Sequence, residues 1–210
     1  MGIFLKTEIQ PDCLLGVWEI TEEYDELRSM VYLDRAEKAR LASFRSLSRK
    51  LEWLSVRALI KSMKGQQAKI TYNEENKPFL GGGGNISISH SRNLTAILVS
   101  PDKRVGIDLE YMSGKISKLG HKFMNERERL TENTAGQKVH LYLHWCAKEA
   151  LYKICDKQDV NFREGITLLP FEPEDNGFIR GHVVNSVGEE LFDLEYLHHE
   201  NYALVWSCKK

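Results

Sequence analysis

Two acidic residues set two apart give this chain its first chemical signal. Asp108 and Glu110 fall in VGIDLE (105–110), a pattern that predicts a strand, and at that spacing both side chains leave the same face. Neighbouring carboxylates raise each other's proton affinity unless a cation neutralises them. A hard divalent ion such as Mg²⁺, which prefers oxygen ligands, is the natural occupant; the polar outer face of an edge strand is the plain alternative. Farther along, WCAKEALYK (145–153) carries Lys148, Glu149 and Lys153 in a helical pattern. Glu149 precedes Lys153 by one turn, the favourable order for a surface ion pair. The same residues would also serve as a third acidic ligand and two cations that neutralise an oxyanion. His90 closes the run ISIS and precedes Ser91 and Arg92, so it either donates to a phosphate or sits in a turn. Lys77-Pro78 is a fixed-φ turn with one cation.

A further group of cations lies upstream. Between Arg35 and Lys64 nine basic residues face only Glu37 and Glu52, a local excess of +7. Partner charge is sensed locally, because salt screens it beyond about 10 Å, so this stretch suits an anion. It is equally the solvated face of a helix. The chain-wide charge of −1 conceals the contrast: residues 1–105 hold 16 Lys and Arg against 13 Asp and Glu, whereas 106–210 hold 13 against 17.

The elements that must position these groups follow from hydrophobic periodicity. Leu41, Phe44, Leu47, Leu51, Leu54, Leu59 and Met63 recur at helical steps over 34–64, predicting one or two amphipathic helices that stop at Gly65. Strands are predicted at 3–5, 14–20, 86–89, 94–100, 105–110, 178–184, 190–197 and 202–207, with turns at Ser91–Asn93 and Pro101–Asp102. Helical patterns cover 121–130 and, more strongly, 139–155, where Leu143, Ala147, Ala150 and Ile154 form the apolar stripe. Helical material beside short antiparallel strands in each half is an α+β pattern, with its midpoint at 101–104. The glycine run 81–84 has no helix after it, so it is no phosphate-cradling fingerprint.

Composition excludes other classes. The near-neutral charge argues against a dedicated nucleic-acid binder, and 42% hydrophobic residues in 210 suffice for one large or two small domains. No apolar run approaches the roughly 18 residues of a membrane span. The N-terminal MGIFLKTEIQPD does not look like a secretory signal. Cys13, Cys146, Cys155 and Cys208 form no C-x-x-C pair and read as free thiols of a reducing cytoplasm, with no zinc site.

Taken in order, EWLSVRALI (52–60), NKP (76–78), ISISHS (86–91), VGIDLE and WCAKEALYK resemble the 4′-phosphopantetheinyl transferase superfamily, in its longer Sfp-type branch. The resemblance covers about residues 35 to 155 and rests chiefly on the last two motifs. It implies two similar α+β halves related by a pseudo-twofold: 1–103, basic and binding the phosphates of coenzyme A, and 104–210, acidic and binding metal, with the active site in the cleft between them. It further implies Mg²⁺ on Asp108, Glu110 and Glu149, coenzyme A as substrate, and an apo carrier protein of acyl, peptidyl or polyketide type as acceptor. Glu149, or a water on the metal, would take the acceptor serine's proton. Lys148 and Lys153 would neutralise phosphate oxygens, as would His90 and Lys77. Arg49 is the first choice for the 3′-phosphate, with Lys50, Arg45, Arg40 and Lys38 nearby. A cytoplasmic monomer with no nucleic-acid or membrane partner is expected. The rival readings are another Mg²⁺-dependent phosphoryl-transfer enzyme and an RNA- or nucleotide-binding module built on the 35–64 stretch.

Overall fold

The computed structural model describes residues 2–65, 68–155 and 160–210. It is an α+β protein of two compact units, residues 1–101 and 102–210. In the first unit, strands β1 (Ile3–Gln10) and β2 (Cys13–Glu19) precede helices α1 (Tyr24–Ser29), α2 (Arg35–Ser43) and α3 (Leu47–Lys64). Strands β3 (Ile70–Tyr72), β4 (Pro78–Leu80), β5 (Asn85–Ser91) and β6 (Leu94–Ser100) complete an antiparallel sheet in the order β1-β2-β6-β5-β4-β3.

The predicted helical stretch over 34–64 is two helices, and the caps explain the break. Asp34 and Glu37 form a reciprocal capping box that starts α2, which Phe44 ends by turning extended. Ser46 then caps α3 by accepting from the Arg49 amide at 3.2 Å. Gly65, at φ 70°, closes α3 in the left-handed conformation that glycine adopts most easily. The apolar side of α3, including Leu54, Leu59 and Ile60, packs with Ile97 and Val99 of β6 in a core of its own.

The second unit runs β7 (Arg104–Tyr111), a short 3₁₀ turn at 115–118, α4 (Gly120–Phe123), α5 (Gln137–Ile154), then β8 (Ile166–Leu168), β9 (Asn176–Val184), β10 (Glu189–His199) and β11 (Tyr202–Lys209). Its antiparallel sheet has the order β7-β11-β10-β9-β8, and α5 lies across it over a core that includes Leu143, Ala147, Leu151, Phe192 and Val205. Gly106 in β7 permits that close approach. A Cβ there would stand 2.1 Å from the Ala150 carbonyl oxygen of α5.

Two expectations need correction. The helical pattern over 121–130 yields only the single turn of α4, because Asn125 diverts the backbone. Its side chain accepts from the Arg127 amide and donates to Thr167 and the Ile166 carbonyl, a local bonding mode that competes with helix. The cysteines also divide: Cys146 and Cys155 are free thiols, whereas Cys13 and Cys208 are disulfide-bonded. A scan for C-x-x-C finds only pairs that are close in sequence, so it could not reveal this.

Candidate active site

The acidic site of the second unit is built by one strand and one helix. Asp108 and Glu110 alternate with Leu109 on β7, and each is held by a residue of α5. Lys153 donates to Asp108 Oδ1 at 2.7 Å and to the Ile107 carbonyl at 2.9 Å. Trp145 Nε1 donates to Glu110 Oε1 at 3.3 Å. Trp145, Glu149 and Lys153 stand at i, i+4 and i+8, a single stripe of the helix. Glu149, half-buried, therefore occupies the turn between the two residues that grip Asp108 and Glu110. Sequence reasoning assigned Trp145 no role; its signal was the same four-residue spacing.

The local potential is negative. Burial first, then the charges of Asp108 and Glu110, push the Cys146 thiol well above its ordinary range, with Lys153 acting in the opposite direction. Each of the three carboxylates carries oxygen donors of the kind a hard divalent cation takes. Among the described residues no three His, Cys, Asp or Glu side chains converge closely enough to hold a metal ion.

Lys148 is placed differently from the expectation that it neutralises phosphate oxygens. Its side chain is 0% exposed and its Nζ lies 2.8 Å from Glu128 Oε2, itself fully buried. The same ammonium donates to the carbonyls of Phe123 and Ile166 at 2.7 Å and of Arg163 at 3.3 Å. Burial lowers its pKa, and Glu128 opposes that. Lys148 thus ties α5 to the 123–128 and 163–166 segments, and its charge is spent inside the fold. Beside it, His144 is 2% exposed and lies 3.8 Å from Glu128 Oε1. Burial, aided by His140 and Lys148, pulls His144 down to about 3.

The first unit carries the cations. Arg49 sits in the first turn of α3, where the helix N-terminus favours anions; it pairs with Glu52 at 2.9 Å and lies over the Phe44 ring. Arg40, in the last turn of α2, approaches the same ring. Lys50 stacks on Tyr24, and Arg45 is exposed between the helices. His90 Nδ1 is 3.0 Å from Thr95 Oγ1, which is in turn 2.6 Å from Ser55 Oγ of α3, so the imidazole is oriented by β6 and α3. Lys77 lies at the end of a turn organised by Asn73 and extends over Phe79.

An all-oxygen acidic set on a strand–helix pair is chemistry suited to a metal-assisted reaction on phosphates. Residues 104–207, nearly the whole second unit, match the model of the 4′-phosphopantetheinyl transferase superfamily. It is also similar to the 4′-phosphopantetheinyl transferase HetI of Nostoc sp. (strain PCC 7120), at 32% identity over 119 residues, which are 51% of this chain and 50% of HetI. The chain thus aligns with about half the length of that relative. No helix among the described residues is long and apolar enough to cross a membrane.

Proposed function

We propose that this protein transfers the 4′-phosphopantetheine arm of coenzyme A to a serine of an apo carrier protein of acyl, peptidyl or polyketide type. The Lys-Pro and Ser-His-Ser motifs of the first unit favour the Sfp-type branch. The observation that carries the reading is the three-residue stripe of α5, which sets Glu149 between the anchors of Asp108 and Glu110. These three carboxylates would hold Mg²⁺, which when bound would neutralise charge on the pyrophosphate and align the reacting groups.

The serine Oγ attacks the phosphorus that bears the pantetheine arm, and a new P–O bond forms. The bond from that phosphorus to the bridging pyrophosphate oxygen breaks, and adenosine 3′,5′-bisphosphate leaves with the electron pair. Glu149, or a water beside it, accepts the serine proton. Lys153 holds the Asp108 carboxylate in place and brings positive charge to the phosphates. Arg49, with Lys50 and Arg45 nearby, meets the 3′-phosphate, while His90 and Lys77 neutralise further phosphate oxygens. Phosphoryl transfer of this kind depends mostly on positioning and charge neutralisation.

Incubation with coenzyme A, Mg²⁺ and an apo carrier protein should raise the carrier's intact mass by one phosphopantetheine arm. Asp108→Asn and Glu149→Gln should leave the protein folded and cut transfer by about a hundredfold or more, the scale of losing one preorganised electrostatic contact. Carriers of all three types left unmodified, or full activity in either variant, would reject the reading. Salt-dependent RNA affinity without transfer would favour a binding module instead.

A further inference from the structure

The basic end of α3 is the outer end of a continuous stack that begins in the core of the first unit. Arg57, 2% exposed on its side chain, places Nε 3.0 Å from Glu37 Oε1 of α2. It also donates to the Trp53 carbonyl at 3.2 Å. Its guanidinium carbon lies 3.1 Å from the centroid of the Trp53 ring, and Tyr72 of β3 also interacts with it. Trp53 in turn meets Phe44 at 6.2 Å between ring centroids. Phe44, at the break between α2 and α3, is flanked by Arg40 at 5.3 Å and Arg49 at 5.9 Å. The order is therefore Glu37, Arg57, Trp53, Phe44, then two guanidinium groups near the surface.

This stack does more than fill space. Burying a guanidinium costs several kcal/mol before its partners compensate, and an apolar side chain would pack against Trp53 without that cost. What the guanidinium adds is direction. Glu37 is the third residue of α2 and already belongs to its capping box. Fixing it to Arg57 sets the rotation of α2 about its axis. Arg40 lies three residues farther on the same side of α2, so that rotation decides whether it faces Phe44. Arg40 and Arg49 around one ring are like charges drawn together, Arg49 being paired with Glu52 on one side, and an anion between the two guanidinium groups relieves their repulsion.

We propose that Arg57 and Trp53 are positioning residues that set Arg40 and Arg49 as a paired clamp for a phosphate monoester. This rests on the coenzyme A reading above, in which the monoester is the 3′-phosphate; neither Arg57 nor Trp53 touches it.

The test compares coenzyme A with dephospho-coenzyme A, which lacks only that phosphate, as substrates of the wild type and of Glu37→Gln, Arg57→Lys and Trp53→Phe. Glu37→Gln should raise KM for coenzyme A about tenfold, the scale of one charge-assisted contact. Its kcat and its KM for dephospho-coenzyme A should stay unchanged. Arg57→Lys and Trp53→Phe should show the same selective loss. Equal shifts for both substrates, or none, in a folded Glu37→Gln protein would overturn the proposal. Should the core variants fail to fold, the isosteric Glu37→Gln decides alone. Calorimetric binding of adenosine 3′,5′-bisphosphate against adenosine 5′-monophosphate separates the two readings. If the wild type transfers no arm but prefers the bisphosphate and loses that preference in Glu37→Gln, the transfer reading fails and the clamp stands. If the wild type transfers normally and Glu37→Gln keeps the preference, only the clamp fails.

Discussion

The two units solve one packing problem with different chemistry. Each lays an 18-residue helix, α3 or α5, against an antiparallel sheet, and each buries a cation of that helix against a carboxylate from elsewhere in its unit. In α3 the cation is Arg57, whose flat guanidinium stacks on Trp53 and reaches Glu37. In α5 it is Lys148, a compact charge held by Glu128 and three carbonyls. Arginine's rigid fork transmits orientation along a plane, whereas lysine's point charge gathers segments around it. The first arrangement leads outward to exposed cations. The second belongs to a helix whose Trp145 and Lys153 hold the carboxylates of β7.

The largest expected effect breaks the second arrangement. Lys148→Ala leaves Glu128 buried without its partner and should cost the second unit about 3–5 kcal/mol, read as lost unfolding free energy in urea. Unchanged stability would mean that the pair does not hold α5 to its flanking segments.

The next effect compares how each helix meets its strand. An added Cβ at Gly106 would meet the backbone oxygen of Ala150, whereas one at Gly16 would meet the Met63 and Leu59 side chains. Side-chain ends can move and a helix backbone cannot. Gly106→Ala should therefore cost about 3 kcal/mol and Gly16→Ala nearer 1 kcal/mol, the range of overpacked cores. Thermal melts of the two variants check the ranking, and a reversed order would reject it.

At neutral pH the smallest effect is the acid sensitivity of the second unit, which grows only as acid is added. Burial lowers both His140 and His144 in the fold, while in the unfolded chain each titrates near 6.5. The unfolded state therefore binds more protons below that pH. Stability is full above about pH 6.5 and falls by up to about 1.4 kcal/mol per pH unit for each histidine as acid is added, until the folded group itself titrates. The first unit has His90 alone. Hydrogen exchange at pH 7.5 and 5.5 should show protection lost first in the second unit, and His144→Leu should flatten the trend. Equal loss in both units would contradict it.

Much of this was legible in the sequence, and the misses share a cause. Strands β6, β7, β9, β10 and β11 and both long helices announce themselves through periodicity, and VGIDLE with WCAKEALYK marks the acidic site. Lys148 was misjudged because the stripe Leu143, Ala147, Ala150 and Ile154 reports only the side of α5 that faces the sheet. The other side is covered by the 123–128 and 163–166 segments, whose contacts come from carbonyls and Asn125 and have no period to detect. The strands β3, β4 and β8, three residues each, are too short to show alternation. The role of Arg57 was hidden because one basic residue in a basic helix looks like its neighbours until burial separates them.

The pairing of β7 with β11 has a consequence in time. The strand bearing Asp108 and Glu110 is hydrogen-bonded to the strand made last in its unit, with Asp108 opposite Val205 and Glu110 opposite Ala203. A ladder between such distant segments must close a long loop before it gains anything, which makes it a slow step. The acidic strand therefore gains its ladder partner only once the rest of the second unit has been made, so the carboxylates become fixed late in assembly.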